Sequence, residues 1–248
     1  MEQLPLFHSE SRKVNFTQLA TFLRCPLEYK LRFIDENETA VPSGTQVLWG
    51  RLLHSIARQY LDLPIDERSL HFLTAKLEDE ETSGSLPDRN YQLNIFADTM
   101  RYFHDIFAQT EVYKLELTFQ APLRDFVLRG RADAIVHGQS GLSLFEFKYG
   151  DYREFDYESE IDECLQLIFY SLGLRAIHVN VVRAAYYFFD SGKTASIVLS
   201  EPVISRGTAR LLEIIDKISI TNDFTPRANR LCPTCGFRKH CYLHAQRR

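Results

Sequence analysis

The stretch GRADAIVHGQSGLSLFEFKYG, Gly130 to Gly150, sets an Asp, a Glu and a Lys into two short apolar runs. Runs of this length, rich in β-branched and aromatic residues and bounded by turn-formers, read as two strands of a hairpin. With HGQSG (His137 to Gly141) as the turn, Ile135 falls opposite Leu144, Asp133 opposite Glu146, and Arg131 near Lys148. Side chains alternate along a strand, so Glu146 and Lys148 share one face while Phe145 and Phe147 take the other. Cross-strand partners also share a face. The register therefore gathers Asp133, Glu146, Lys148 and Arg131 on one side of a sheet whose other side is aromatic.

The flanking segments supply the rest of the fold class. NFTQLATFLRCPLEYKLRF begins with Asn15 and has Gln18 three residues on, the pattern of a capping box, and Pro26 breaks that helix or starts a new one. QVLWGRLLHSIARQYL carries Leu48, Leu52, Leu53, Ile56 and Tyr60 on one helical face; YQLNIFADTMRYFHDIF carries Ile95, Phe96, Met100, Phe103 and Phe107 on another. KLELTFQAPL, DFVLRGRADAIV and LSLFEFKYG read as consecutive strands, ESEIDECLQLIFYSLGL as a helix, VVRAAYYFFD and TASIVLS as two more strands, and VISRGTARLLEIIDKI as a last helix. The expected class is α/β, a mixed sheet flanked by helices. One domain is expected: residues 1–14 flexible, 15–112 mainly helical, 113–222 the sheet core and 223–248 a cysteine-rich tail. The polar LEDEETSGSLPDRN, Leu77 to Asn90, reads as an exposed, mobile loop.

Two adjacent carboxylates repel unless something positive lies between them. A divalent cation meets that need, and Mg²⁺ prefers carboxylate oxygens plus water. A lysine beside it can orient or deprotonate a water, or offset charge building on a phosphate. Asp133, Glu146 and Lys148 thus suit a metal-dependent phosphodiesterase, with the carbonyl of Phe147 as a further ligand. The competing reading is a structural ion-pair network on an exposed sheet face. His54, in WGRLLHSIA, is a candidate metal ligand, and Gly50 one turn earlier suggests close approach to something. Gln166 and Tyr170 lie at i and i+4 of one helix, placed to hold a nucleic-acid backbone or stack on a base; an ordinary amphipathic helix with Tyr170 half-buried fits the same spacing.

Five cysteines bear on a second centre. CPTCGFRKHC supplies Cys232, Cys235 and Cys241, and Cys25 stands far upstream in LRCPLEY. Four thiolates suit an iron–sulfur cluster or a tetrahedral zinc site; alternatively Cys232, Cys235, Cys241 and His244 form a local zinc knuckle and leave Cys25 free. Cys164, in an apolar helix, reads as a buried thiol.

The net charge of −4 argues against a passive DNA-coating protein, though not against an enzyme with a locally basic groove. The opening MEQLPLFHSESRKVNF lacks the basic start and apolar run of a secretory leader, and no stretch is apolar enough to span a bilayer, so the expected location is cytoplasmic, without membrane association.

Taken together, GRADAI, FEFKYG and QLIFY resemble the motifs of the PD-(D/E)XK nuclease superfamily in its RecB-like branch. LRCPLEY, GRLLH and CPTCGFRKHC resemble the iron–sulfur members of that branch, which include the AddB nuclease domain and the small CRISPR-associated spacer-acquisition exonucleases. The resemblance covers residues 15 to 243 in the family's order. It implies Asp133 and Glu146 as metal-binding carboxylates, Lys148 as the catalytic lysine and His54 as the histidine completing the metal site. It implies Gln166 and Tyr170 as a Q-x-x-x-Y motif near DNA, and Cys25, Cys232, Cys235 and Cys241 as ligands of a [4Fe–4S] cluster joining the chain ends. The proline of the superfamily's name is absent, with Ala132 before Asp133. The implied activity is a Mg²⁺- or Mn²⁺-dependent DNA exonuclease acting on single-stranded or frayed ends. Two other functions fit: a DNA-end-binding subunit partnered by CRISPR integrase proteins or a helicase, and a zinc-stabilised nucleic-acid-binding protein.

Overall fold

Asn15 opens the first helix through the reciprocal bonds its sequence announces. Its side chain accepts from Gln18 N at 3.0 Å, and Gln18 returns a bond from Asn15 N at 2.9 Å. This holds in the computed structural model of the chain, which describes residues 12–37, 45–82, 89–150, 152 and 161–245. Strand β1 (Arg12–Asn15) leads into α1 (Phe16–Arg24), and Pro26 starts the short α2 (Pro26–Tyr29). Three longer helices follow, α3 (Thr45–Asp62), α4 (Leu70–Thr82) and α5 (Arg89–Phe107). The strands β2 (Val112–Leu123), β3 (Phe126–Gly138) and β4 (Gly141–Lys148) form a meander. Helix α6 (Leu165–Ala176), strands β5 (Val181–Phe188) and β6 (Lys193–Val198) and helix α7 (Glu201–Ile220) complete the core.

Two expectations change. Residues 12–14, expected to be flexible, belong to a strand: Val14 is buried and pairs with Leu128 in parallel register. The stretch Leu77 to Asn90, expected as a loop, is helical at both ends, with 83–88 outside the described residues. Leu73 and Leu77 are buried one turn apart, so α4 keeps its core contacts while Glu78 and Asp79 are exposed.

The described residues form a mixed six-stranded sheet in the order β1-β3-β4-β5-β6, with β2 also paired to β3. One face packs on α1, α6 and α7 through Leu19, Leu128, Leu144, Phe169 and Leu211. The other packs on α3, α4 and α5 through Leu53, Tyr60, Phe103, Phe147 and Tyr187. Arg68 ties the second layer together: its guanidinium donates to the carbonyls of Leu61 at the end of α3 and of Phe107 at the end of α5, which no helical amide reaches. Among the described residues no helix is long and apolar enough to cross a membrane.

Candidate active site

Strand β3 has three partners and two edges. Strand β2 runs along most of its length, from Leu123↔Phe126 to Val112↔Val136. The other edge is therefore shared: β1 takes Phe126 to Arg129, and β4 takes Ala134 to Gly138. Asp133 lies in the interval between them. With no ladder partner there, side chains satisfy the backbone. Asp133 N donates to Glu146 Oε1 at 3.1 Å, and Phe147 N donates to Asp133 Oδ2 at 2.9 Å. The ladder pairs Ile135 with Leu144, so its extension sets Asp133 against Glu146, as the hairpin turn predicts.

The opposite edge is also disturbed. Glu116 in β2 has φ 47°, in the left-handed region where non-glycine residues are strained, and the register skips its pairing with Asp133. The two neighbours of Glu116, Leu115 and Leu117, pack into different core layers. The same extension of the β3–β4 ladder sets Arg131 against Lys148, and the Arg131 guanidinium also meets Glu116 at 3.4 Å.

Helix α6 closes one side. Gln166 accepts from Lys148 Nζ at 2.7 Å and donates to Glu146 Oε2 at 2.8 Å, so one amide links the lysine to the carboxylate. Nothing in the spacing of QLIFY announces this bridge; it depends on how α6 crosses β4. Lys148 Nζ also lies 5.2 Å from the ring centre of Tyr186. Tyr170, one turn beyond Gln166, stands edge-on to Phe119. Gly130 and Gly173 allow this approach, because a Cβ on either would come within 2.4 Å of the Phe119 ring.

Helix α3 forms the opposing wall. His54 Nδ1 lies 3.5 Å from Asp133 Oδ2, its ring edge-on to Phe147 and Phe189. Gly50 faces the same space, but a Cβ there would meet only Tyr149 at an ordinary 3.7 Å, so no close approach explains this glycine. The walls enclose an open cleft of about 970 Å³ that also takes in Arg51, Arg58 and Glu116.

Burial holds the Glu146 carboxyl well above its usual range, Asp133 pushes it further in the same direction, and Lys148 opposes both. Burial lowers the Lys148 ammonium, against the pull of Glu146 and Asp133. Burial also raises the Tyr170 hydroxyl, with Glu146 adding to the effect. A carboxylate pair that resists double ionisation at the floor of an open cleft is a donor set suited to a divalent cation, with His54 and the Phe147 backbone beside it. As the side chains stand, no group of three or more His, Cys, Asp or Glu among the described residues is drawn together around a common metal position.

The C-terminal tail returns to the junction of α1 and α2. Arg227 donates to the carbonyl of Leu23, and Asn229 Nδ2 to that of Arg24 at 3.4 Å. Phe237 is buried beneath Arg32. This docking brings the thiols of Cys232 and Cys235 toward Cys25: burial raises the Cys235 thiol, and Cys25 and Cys232 lie close enough to raise it further. Cys232 Sγ accepts from Asn229 N at 3.2 Å. Cys241 follows the buried Phe237 by one short turn, and the side chain of His244 lies outside the described residues. Cys164 is buried as expected, its thiol raised to about 11 and donating to the Ile161 carbonyl.

The family model described as the PD-(D/E)XK nuclease superfamily matches residues 13–242. In fold, the chain is similar to a candidate exonuclease from Eubacterium rectale, with a TM-score of 0.55 at 11% identity over 90% of this chain and 87% of that one. It is also similar to the protein SSO0001, with a TM-score of 0.42 at 17% identity over 96% of this chain and 89% of that one, a likeness too loose to carry an argument. No significant match was found among curated proteins.

Proposed function

We propose that this chain, which belongs to the PD-(D/E)XK nuclease superfamily, is a divalent-metal-dependent deoxyribonuclease that degrades DNA from single-stranded or frayed ends. The supporting observation is the meeting of Asp133, Glu146 and Lys148 in one open cleft, at the break in the sheet, with Gln166 tying the lysine to the glutamate. Nucleases of this superfamily typically use Mg²⁺ or Mn²⁺. Asp133 and Glu146 would hold the ion, with His54 and the carbonyl of Phe147 as further ligands. The ion when bound supplies Lewis acidity toward a phosphoryl oxygen and lowers the pKa of a coordinated water.

The chain's own residues do the rest. Lys148 is restrained by Gln166 and lies beside the carboxylates, where it orients the attacking water or offsets charge on the phosphate. Gln166 keeps Glu146 Oε2 turned toward the lysine, so that both groups keep a fixed geometry, which is what phosphoryl transfer requires of a protein. Tyr170 and Arg131 contact the bound strand. The E. rectale protein of similar fold is itself a candidate exonuclease, which suits action at ends.

Within the superfamily we assign the chain to the RecB-like branch, with Cys25, Cys232, Cys235 and Cys241 as ligands of a [4Fe–4S] cluster. The return of the tail to the α1–α2 junction supports this, since Asn229 bonds the Arg24 carbonyl next to Cys25 and also donates to Cys232 Sγ, and metal binding would deprotonate thiols gathered there. The cluster would close a loop of about 200 residues and so fasten the tail to the first helices. Zinc is the alternative ion for the same thiols.

Calorimetric titration of Mn²⁺ into the intact chain and into Asp133→Ala tests the metal assignment. Binding lost in the variant, together with cleavage, supports it; unchanged binding and cleavage would place the metal site elsewhere.

A further inference from the structure

The cleft contains a second polar cluster, of which the reading above uses only Arg131. Glu116 directs its two carboxylate oxygens to two different arginines: Oε1 to Arg131 at 3.4 Å and Oε2 to Arg58 of α3 at 3.8 Å. All three side chains are substantially exposed and border the same space as Asp133 and Lys148. Exposed pairs at such distances are held weakly and yield to a competing anion. The residue that makes them is strained: Glu116 sits inside a strand at φ 47° and interrupts the β2–β3 register opposite Asp133. Backbone strain at a cleft points to a use for the side chain it presents.

We propose that Arg58 and Arg131 form a phosphate-binding site for the nucleotide next to the scissile one, and that Glu116 occupies it in the free protein. This rests on the nuclease reading of the cleft. The carboxylate stands where the two free oxygens of a phosphodiester would go: two anionic oxygens, each facing one guanidinium. Arg131 is two residues from Asp133 along β3, about 6.6 Å, a distance that one extended nucleotide spans. Arg58 lies one helical turn beyond His54 on α3 and Arg131 lies on β3, so the two arginines come to the cleft from different elements. Glu116 plays two parts. It keeps the guanidiniums oriented when no strand is bound, and it must be displaced by each incoming phosphate. A neutral side chain there removes the competing charge.

The test is binding of a labelled single-stranded oligonucleotide to Lys148→Ala protein in Mg²⁺, followed by anisotropy over a range of salt. Adding Glu116→Gln is expected to tighten binding at least threefold. Adding Arg58→Ala is expected to weaken it severalfold and to reduce the slope of log affinity against log salt by about 0.7, the value for one phosphate contact on a single strand. Glu116→Asn, whose side chain suits a left-handed backbone, guards against a folding artefact and is expected to follow Glu116→Gln. The proposal is overturned if both Glu116 variants bind no more tightly than their parent, or if Arg58→Ala leaves the slope unchanged. Degradation of the same oligonucleotide by the unmodified chain reports on the nuclease reading separately.

Discussion

Replacing Gln166 with Leu removes both bonds of the bridge between Lys148 and Glu146, at 2.7 and 2.8 Å. Bonds to charged groups contribute about 1.5–3 kcal/mol each. The two together are therefore worth roughly 3–6 kcal/mol, and Glu146 Oε2 is left in a buried position without its donor. Leu returns about 1 kcal/mol by covering apolar surface at a half-buried position. The expected net loss is about 2–5 kcal/mol, which for a chain of this length lowers the melting temperature by roughly 4–20 °C. Urea unfolding of metal-free protein near neutral pH, followed by circular dichroism, reads the loss as a lower midpoint at unchanged slope. Cleavage should fall about 10–100-fold, as for other residues that orient metal ligands. A stability loss below about 1 kcal/mol would refute the reasoning, since it would mean that Lys148 and Glu146 satisfy each other without the amide.

Further predictions concern the carboxylates, the packing and the cysteines. An acid whose pKa is raised by folding stabilises the fold while protonated, and this is lost as pH climbs from its ordinary value through the raised one. Metal-free protein should therefore lose stability across that window, and Glu146→Gln should flatten the profile in melts from about pH 4 to about pH 8; parallel profiles would count against Glu146 as the titrating group. A Cβ at Gly173 meets the Phe119 ring at 2.0 to 2.6 Å. Gly173→Ala is accordingly expected to cost about 1–2 kcal/mol net of its gain in helix propensity, and adding Phe119→Leu should recover most of it; an unaltered melting temperature in the single variant would contradict the contact. Protein purified without oxygen should be coloured and contain iron, with Cys235→Ala losing both and Cys164→Ala neither. A colourless chain holding one zinc would remove the cluster and leave the nuclease proposal standing.

What the sequence makes legible here is local. The capping box of Asn15 and Gln18 is complete within four residues, and a short turn ties Ile135 to Leu144, so both emerge from spacing alone. The alternation of Glu146 and Lys148 with Phe145 and Phe147 follows from the period of a strand, and the two phenylalanines lie in the core layer opposite that of Leu144. What escapes is set by distant segments. Arg12–Asn15 becomes a strand only because β3 has a free edge more than a hundred residues later. The ion pair of Arg131 with Glu116 depends on a different strand, which the hairpin does not announce. Gln166 becomes a bridge only through the crossing of α6 over β4. The approach of Cys232 and Cys235 to Cys25 likewise requires the folded tail, with Arg227 and Asn229 anchored on carbonyls of α1. Helix α4 escaped for a different reason: its acidic residues resemble those of a loop, and only the burial of Leu73 and Leu77 separates the two.

The central claim is that Asp133, Glu146 and Lys148 cut DNA at ends. It is tested most directly by incubating end-labelled linear single-stranded DNA, beside a closed circular single strand, with the chain and Mg²⁺ or Mn²⁺, with Lys148→Ala as the control. The account predicts loss of the linear strand alone, abolished in Lys148→Ala protein that still melts as a folded chain. Undiminished degradation by Lys148→Ala would contradict the site, and equal cutting of the circle would contradict dependence on ends.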